Sequence, residues 1–163
     1  MKLAVGIDEE VHMNQELLIQ QTKLETQALE HITRALEVMI GWAVDSGGYA
    51  RKLSSVRFFT VQYQQHLERL FALEEIDGYM ESVARFNPEL SNHIDDLKRE
   101  HEQLRAAVRK IVVRLELASS TNLPEFDATC FEVRRTINEI LEHLRREQEL
   151  LVEAFQRDTG GES

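Results

Sequence analysis

LSNHIDDLKREHEQLRAAVRKIVVRL, Leu90 to Leu115, is the stretch whose reading decides the fold. Its apolar residues Leu90, Ile94, Leu97, Leu104, Val108, Ile111 and Leu115 recur at alternating steps of four and three. That is one face of an α-helix and does not fit the two-residue period of a strand. Pro88 stands at a favoured first-turn position, and SSTNLPEF breaks the pattern, so a helix is predicted over about 88–118. The long step between Leu97 and Leu104 is filled on the same face by His101.

Three further segments carry the same period. The first, about 14–44, places Leu17, Leu24, Ala28, Ala35, Val38 and Trp42 on one seam, and the paired glycines of DSGGY end it. The second, about 55–86, carries Phe59, Tyr63, Leu70, Leu73 and Met80, and NPELS interrupts it. The fourth, about 126–157, carries Val133, Ile137, Ile140, Leu144, Leu151 and Phe155. Helices near thirty residues, about 45 Å at 1.5 Å per residue, joined by short loops favour antiparallel neighbours. The expected fold is all-α, an up-down-up-down antiparallel four-helix bundle forming a single domain over 1–163, with residues 1–13 as an arm and 158–163 as a polar tail.

Composition agrees with long helices, since only 7 glycines and 2 prolines occur among 163 residues and 42% are hydrophobic. A formal net charge of −10 argues against a nucleic-acid partner. No apolar run approaches the roughly 20 residues of a membrane helix, and the N-terminal residues do not resemble a signal peptide, so a soluble cytoplasmic protein is expected. Cys130 is the sole cysteine, which excludes an internal disulfide and a structural thiolate metal site.

The seams also carry ionisable residues. His101 falls between Leu97 and Leu104, and His31 between Ala28 and Ala35; His143 and Glu147 are four apart beside Ile140 and Leu151, and Glu74 follows Leu70 and Leu73. A single histidine on an apolar seam is ordinarily a satisfied core residue. Four helices doing this at similar heights is a different matter, because buried carboxylates need a compensating charge. A metal ion supplies it, and imidazole with carboxylate suits iron, manganese or zinc. Counting along antiparallel helices brings Glu74, His101 and His143 to one level within about a turn, ~5 Å. The first loop matches His31 to His66 better than to Glu74, so His66 is also a candidate. Glu75 is the inward residue instead of Glu74 if the helix is rotated. His12 and His93 are read as surface or rim residues, and Cys130, Trp42, Phe58, Phe59 and Phe71 as packing. In a metal-free core, Glu74 and Glu147 are expected to have raised pKa values or to pair with Arg34 or Arg146.

LEHITRALEVM on the first helix, HLERLFALEEIDGY on the second, LKREHEQL on the third and HLRREQELLVEAF followed by DTGG on the fourth resemble, in order, the four signatures of the hemerythrin-like (HHE cation-binding) domains. The resemblance covers about residues 24–161. It implies a four-helix bundle with a non-haem di-iron centre that binds or senses dioxygen or another diatomic ligand. By position it implies metal ligation by His31, Glu74, His101, His143 and Glu147, with Glu74 as a bridging carboxylate. The family pattern HF..EE reads LFALEE here, so Leu70 stands where a ligand histidine is expected, and Leu97 or Arg105 where some members have a second histidine. His66 and His93 lie one turn before such leucines. The expected cofactor is iron, as a di-iron or single-ion centre, or another divalent metal. The expectation is a binding protein and not an enzyme: Cys130 has no histidine at helical spacing, and the Glu-x-x-His pair of ferritin-type di-iron bundles is missing. The alternative is a helical regulatory or interaction module with one metal or none.

Overall fold

Helix-favouring residues fill every long segment, and among the described residues the chain is all-helical with no strand. The structure, a computed structural model, describes the backbone of residues 2–76 and 78–159 and the side chains of residues 13–76, 78–154 and 156. Helix α1 spans Lys2–Gly41, α2 Tyr49–Glu75, α3 Tyr79–Phe86, α4 Ser91–Leu117 and α5 Leu123–Thr159, with a 3-10 turn at Pro88–Leu90 leading into α4. Four helices are long, at 40, 27, 27 and 37 residues, and α3 is a connector of 8. No helix among the described residues is long and apolar enough to cross a membrane.

Two boundaries differ from expectation. Helix α1 begins at Lys2, so the residues expected as an arm continue the first helix. The side chain of His12 and residues 160–163 of the tail lie outside the described residues. The second segment is two helices, divided at Ile76 to Gly78. The cause is local: a Cβ on Gly78 would stand 2.2 Å from the Leu73 carbonyl oxygen and 2.4 Å from that of Glu74, so only glycine lets the chain turn this tightly against the end of α2.

The α4 seam from Leu90 to Leu115 is buried along its whole length, His101 included. It faces Val56, Tyr63, Leu67, Leu70 and Phe71 of α2 in the main core, to which α5 adds Phe126, Cys130, Val133, Ile137 and Ile140. A smaller cluster of Met80, Val83, Leu90, Ile94, Leu97 and Ala154 closes the end near α3. The first helix corrects the sequence reading. It buries Leu29, Thr33 and Leu36, while Leu17, Leu24, Val38 and Trp42 are exposed. Neighbouring helix positions differ by about 100°, and α1 carries apolar residues on two faces, so the repeat of four and three picked out the outer one. Phe58, read as packing, is exposed as well.

Polar contacts fix the helices at definite heights. Lys52 Nζ donates to the carbonyls of Ile40 and Trp42, both at 2.8 Å, satisfying the open end of α1. Further along, His66 Nδ1 and Arg69 Nε both reach Glu25, at 2.6 and 3.0 Å. Arg57 donates twice to the Leu115 carbonyl, at 3.0 and 2.7 Å, doing for α4 what Lys52 does for α1.

Candidate metal centre

His101 is completely buried on α4, because its place in the seam leaves the ring no other direction. Phe71 of α2 stacks on it with ring centroids 3.6 Å apart and planes 9° from parallel. Phe71 also meets His143 edge-on at 5.7 Å, and the two imidazoles stand 4.8 Å apart. One aromatic side chain thus walls both rings from the α2 side.

The two histidines are oriented in the same way. His101 Nδ1 is bonded to Glu75 Oε1 at 2.6 Å, and His143 Nδ1 to Glu100 Oε2 at 2.7 Å. Each of those carboxylates is gripped by an arginine: Arg105 donates to both oxygens of Glu75 at 3.0 and 3.1 Å, and Arg146 to both oxygens of Glu100 at 2.9 and 2.8 Å. A carboxylate on Nδ1 makes that nitrogen the donor and leaves Nε2 as a lone pair. Both Nε2 atoms point inward.

There they converge on carboxylates. His101 Nε2 lies 2.9 Å from Glu147 Oε1 and 3.7 Å from Glu74 Oε2, and His143 Nε2 lies 3.4 Å from Glu147 Oε1. Tyr79, at the start of α3, donates its hydroxyl to the same Glu147 oxygen at 2.8 Å. Ligand atoms of His101, His143 and Glu147 fall within 4.8 Å of one another, the one such group among the described residues. Glu74 Oε2 and His143 Nε2 are buried with no hydrogen-bond partner. Orphaned buried acceptors of this kind are costly, and a cation among them removes the cost. The donor chemistry therefore fits a metal ion held by His101, His143, Glu147 and Glu74.

The acid strengths follow from these surroundings. Burial, then the nearby Glu147 and Glu75, push Glu74 up to about 9. Burial acts on Glu147 in the same direction, but the imidazoles of His101 and His143 beside it, when they carry a proton, outweigh it and hold that carboxyl below the usual range. Burial depresses His143, and Glu147 and Glu100 more than reverse it. Glu75 and Glu100 resist the upward push of partial burial because an arginine and a histidine bond to each, and both end low. Tyr79 is raised by burial and by Glu147 and Glu74.

Of the six residues picked from the sequence, the structure brings Glu74, His101, His143 and Glu147 together. The other two stand elsewhere. His31 is exposed on the outer face of α1, because α1 is turned so that Leu29 and Thr33 face inward. His66 is half-buried and engaged with Glu25, away from the cluster. His93 is exposed. Leu70 is fully buried in the main core, Leu97 belongs to the smaller cluster, and Arg105 is the clamp on Glu75. Glu74 and Glu75 both serve the centre, one inside it and one behind His101. Arg146 pairs with Glu100 and not with Glu74 or Glu147.

Sequence reasoning missed Glu100 and Tyr79, and considered Glu75 only as a replacement for Glu74. The available signal was adjacency. Glu75 follows Glu74 and Glu100 precedes His101, and a residue one step round a helix faces the neighbouring helix, where each meets the next imidazole. Tyr79 had no such signal, since the helix break before it places its hydroxyl.

No protein-family model, no curated protein and no solved structure matches this chain.

Proposed function

We propose that this chain is a metal-binding protein whose helices pack as an up-down-up-down bundle around a single non-haem metal centre, with ferrous iron the favoured ion, and that the centre takes dioxygen or another diatomic ligand. Opposed heights on successive helices support the topology. Lys52 meets the end of α1 while Arg69 meets Glu25 further back, and Arg57 meets the end of α4 while Arg105 meets Glu68. The observation that carries the metal reading is the pairing of each inner Nε2 with an outer Nδ1–carboxylate bond. This is the outer support that metal-ligating histidines ordinarily have.

Two imidazoles and a carboxylate with open positions are a donor set that suits ferrous iron. Glu74 offers a further oxygen from α2. When bound, the metal would supply a coordination position for a small ligand. The protein's own part is to hold the donors, to keep water off with Phe71 and to offer the Tyr79 hydroxyl beside Glu147. The exposure of His31 and the pairing of His66 with Glu25 favour one ion over the two that the hemerythrin-like resemblance implies.

Metal analysis after anaerobic reconstitution with ferrous iron tests this, with absorption spectra before and after air. One iron per chain and an oxygen-dependent charge-transfer band are expected. Two irons per chain would restore the di-iron reading. No retained metal would leave a helical interaction module.

A further inference from the structure

The four inner donors are not held alike. Glu147 stands well inside α5, and its Oε1 lies 2.9 and 3.4 Å from the two imidazoles and accepts from Tyr79 at 2.8 Å. His101 and His143 are each fixed at Nδ1 by an arginine-clamped carboxylate. Those three residues make the compact group, with ligand atoms within 4.8 Å of one another. Glu74 is not a member of it. Its inner oxygen stands 3.7 Å from His101 Nε2 and has no hydrogen-bond partner. The residue belongs to the last turn of α2, and helix ends are where the backbone frays first. Its side chain is also the least buried of the four, at 8% exposure against 4% for Glu147 and 0% and 1% for His101 and His143.

Two imidazoles and one carboxylate, fixed in place, already suffice to hold ferrous iron with positions left open. A fourth donor that nothing pins can take one of those positions and leave it again. We infer, resting on the metal reading above, that Glu74 is an exchangeable ligand: it closes the centre at rest and yields its position when a diatomic ligand binds. His101, His143 and Glu147 hold the ion throughout. The displaced carboxylate keeps a countercharge, because the Arg105 guanidinium lies close enough to act on it. Linkage gives Glu74 its purpose in this arrangement. Whatever free energy ties it to the ion is subtracted from the affinity of the incoming ligand, so the strength of that one contact sets how tightly the ligand is held.

Two affinities measured on the full-length chain test this. Nitric oxide titrated anaerobically into the ferrous protein, followed by absorbance and electron paramagnetic resonance, reads the exchangeable position. Competition with a chelator reads the hold on the ion. In Glu74→Ala the incoming ligand no longer waits for a donor to leave, so nitric oxide should bind about 10-fold more tightly if the arm is off about a tenth of the time in the parent. Iron should still bind at one per chain, though more weakly. Glu74→Gln keeps the size of the side chain and should show the same pair of shifts, which covers the case of a Glu74→Ala chain that does not fold. Glu147→Ala removes a fixed donor and should lose the ion. A residue that merely shaped the pocket would lower both affinities together, whereas a displaceable ligand moves them in opposite directions. Nitric oxide affinity unchanged or lowered in both Glu74 variants, or loss of the ion from both, overturns the proposal. A parent chain that holds no iron is a different result: it removes the metal reading itself, and this proposal with it.

Discussion

Glu74 and Glu147 both lie beside His101 Nε2, yet their acidities are driven apart, one up to about 9 and the other below the usual range. The difference lies in the surroundings: Glu147 stands within 2.9 and 3.4 Å of the two imidazoles and accepts from Tyr79, whereas the inner oxygen of Glu74 has no hydrogen-bond partner. The sign of the pH effect follows. In the metal-free protein Glu74 keeps its proton when folded and loses it when unfolded, so above its ordinary value of 4.5 the unfolded chain binds fewer protons. Its contribution is fully present below 4.5 and fades as pH rises toward 9, and stability falls with it. Melting of apo protein from pH 5 to 9 should show that fall, and Glu74→Gln should lessen it, leaving the part due to His143, whose value is also raised. The supporting carboxylates make a second prediction. Glu100→Gln keeps the shape but removes the charge behind His143, and metal affinity should drop about 10–100-fold, read by competition with a chelator of known strength. His101, His143 and Glu147 were legible because an inward seam position admits one orientation. Glu100 was not, because its role depends on which helix lies alongside.

At the scale of elements, the turn between α2 and α3 sets both Glu74, in the last turn of one helix, and Tyr79, in the first turn of the other. Gly78→Ala would press a methyl into two carbonyls, so the turn must open. A loss on the order of 1–3 kcal/mol is expected by urea unfolding, together with lower metal content, since Tyr79 moves off Glu147. Lys52→Met separates stability from function. It leaves the carbonyls of Ile40 and Trp42 without their donor and should cost about 1–3 kcal/mol, as for other hydrogen bonds to charged groups, while metal content stays unchanged. The helices themselves were readable from periodicity. The break at Gly78 was not, because apolar spacing continues through Leu73 and Met80, and only the close approach of two carbonyls demands it.

At the scale of the molecule, α2, α4 and α5 supply all four proposed ligands and α1 supplies none. The sequence located the level of the centre but misjudged the rotation of α1, since either of its apolar faces satisfies a helical pattern and burial alone chooses between them. A bound metal should stabilise the whole chain by mass action, by about 2.7 kcal/mol when free metal is 100 times the dissociation constant. Chelation should therefore lower the melting temperature of the parent protein and leave that of His101→Ala, His143→Ala unmoved. The two chains His101–Glu75–Arg105 and His143–Glu100–Arg146 carry one more consequence. Phe71 and the apolar core seal the interior against solvent molecules, but each ring is two bonded contacts from a guanidinium, and the Arg146 side chain is 45% exposed. A change in charge at the proposed centre would therefore have a bonded carboxylate, Glu75 or Glu100, to take a proton from either Nδ1. The proposed centre is thus expected to follow the pH outside through the two Nδ1 contacts, although Phe71 and the core side chains wall it from solvent.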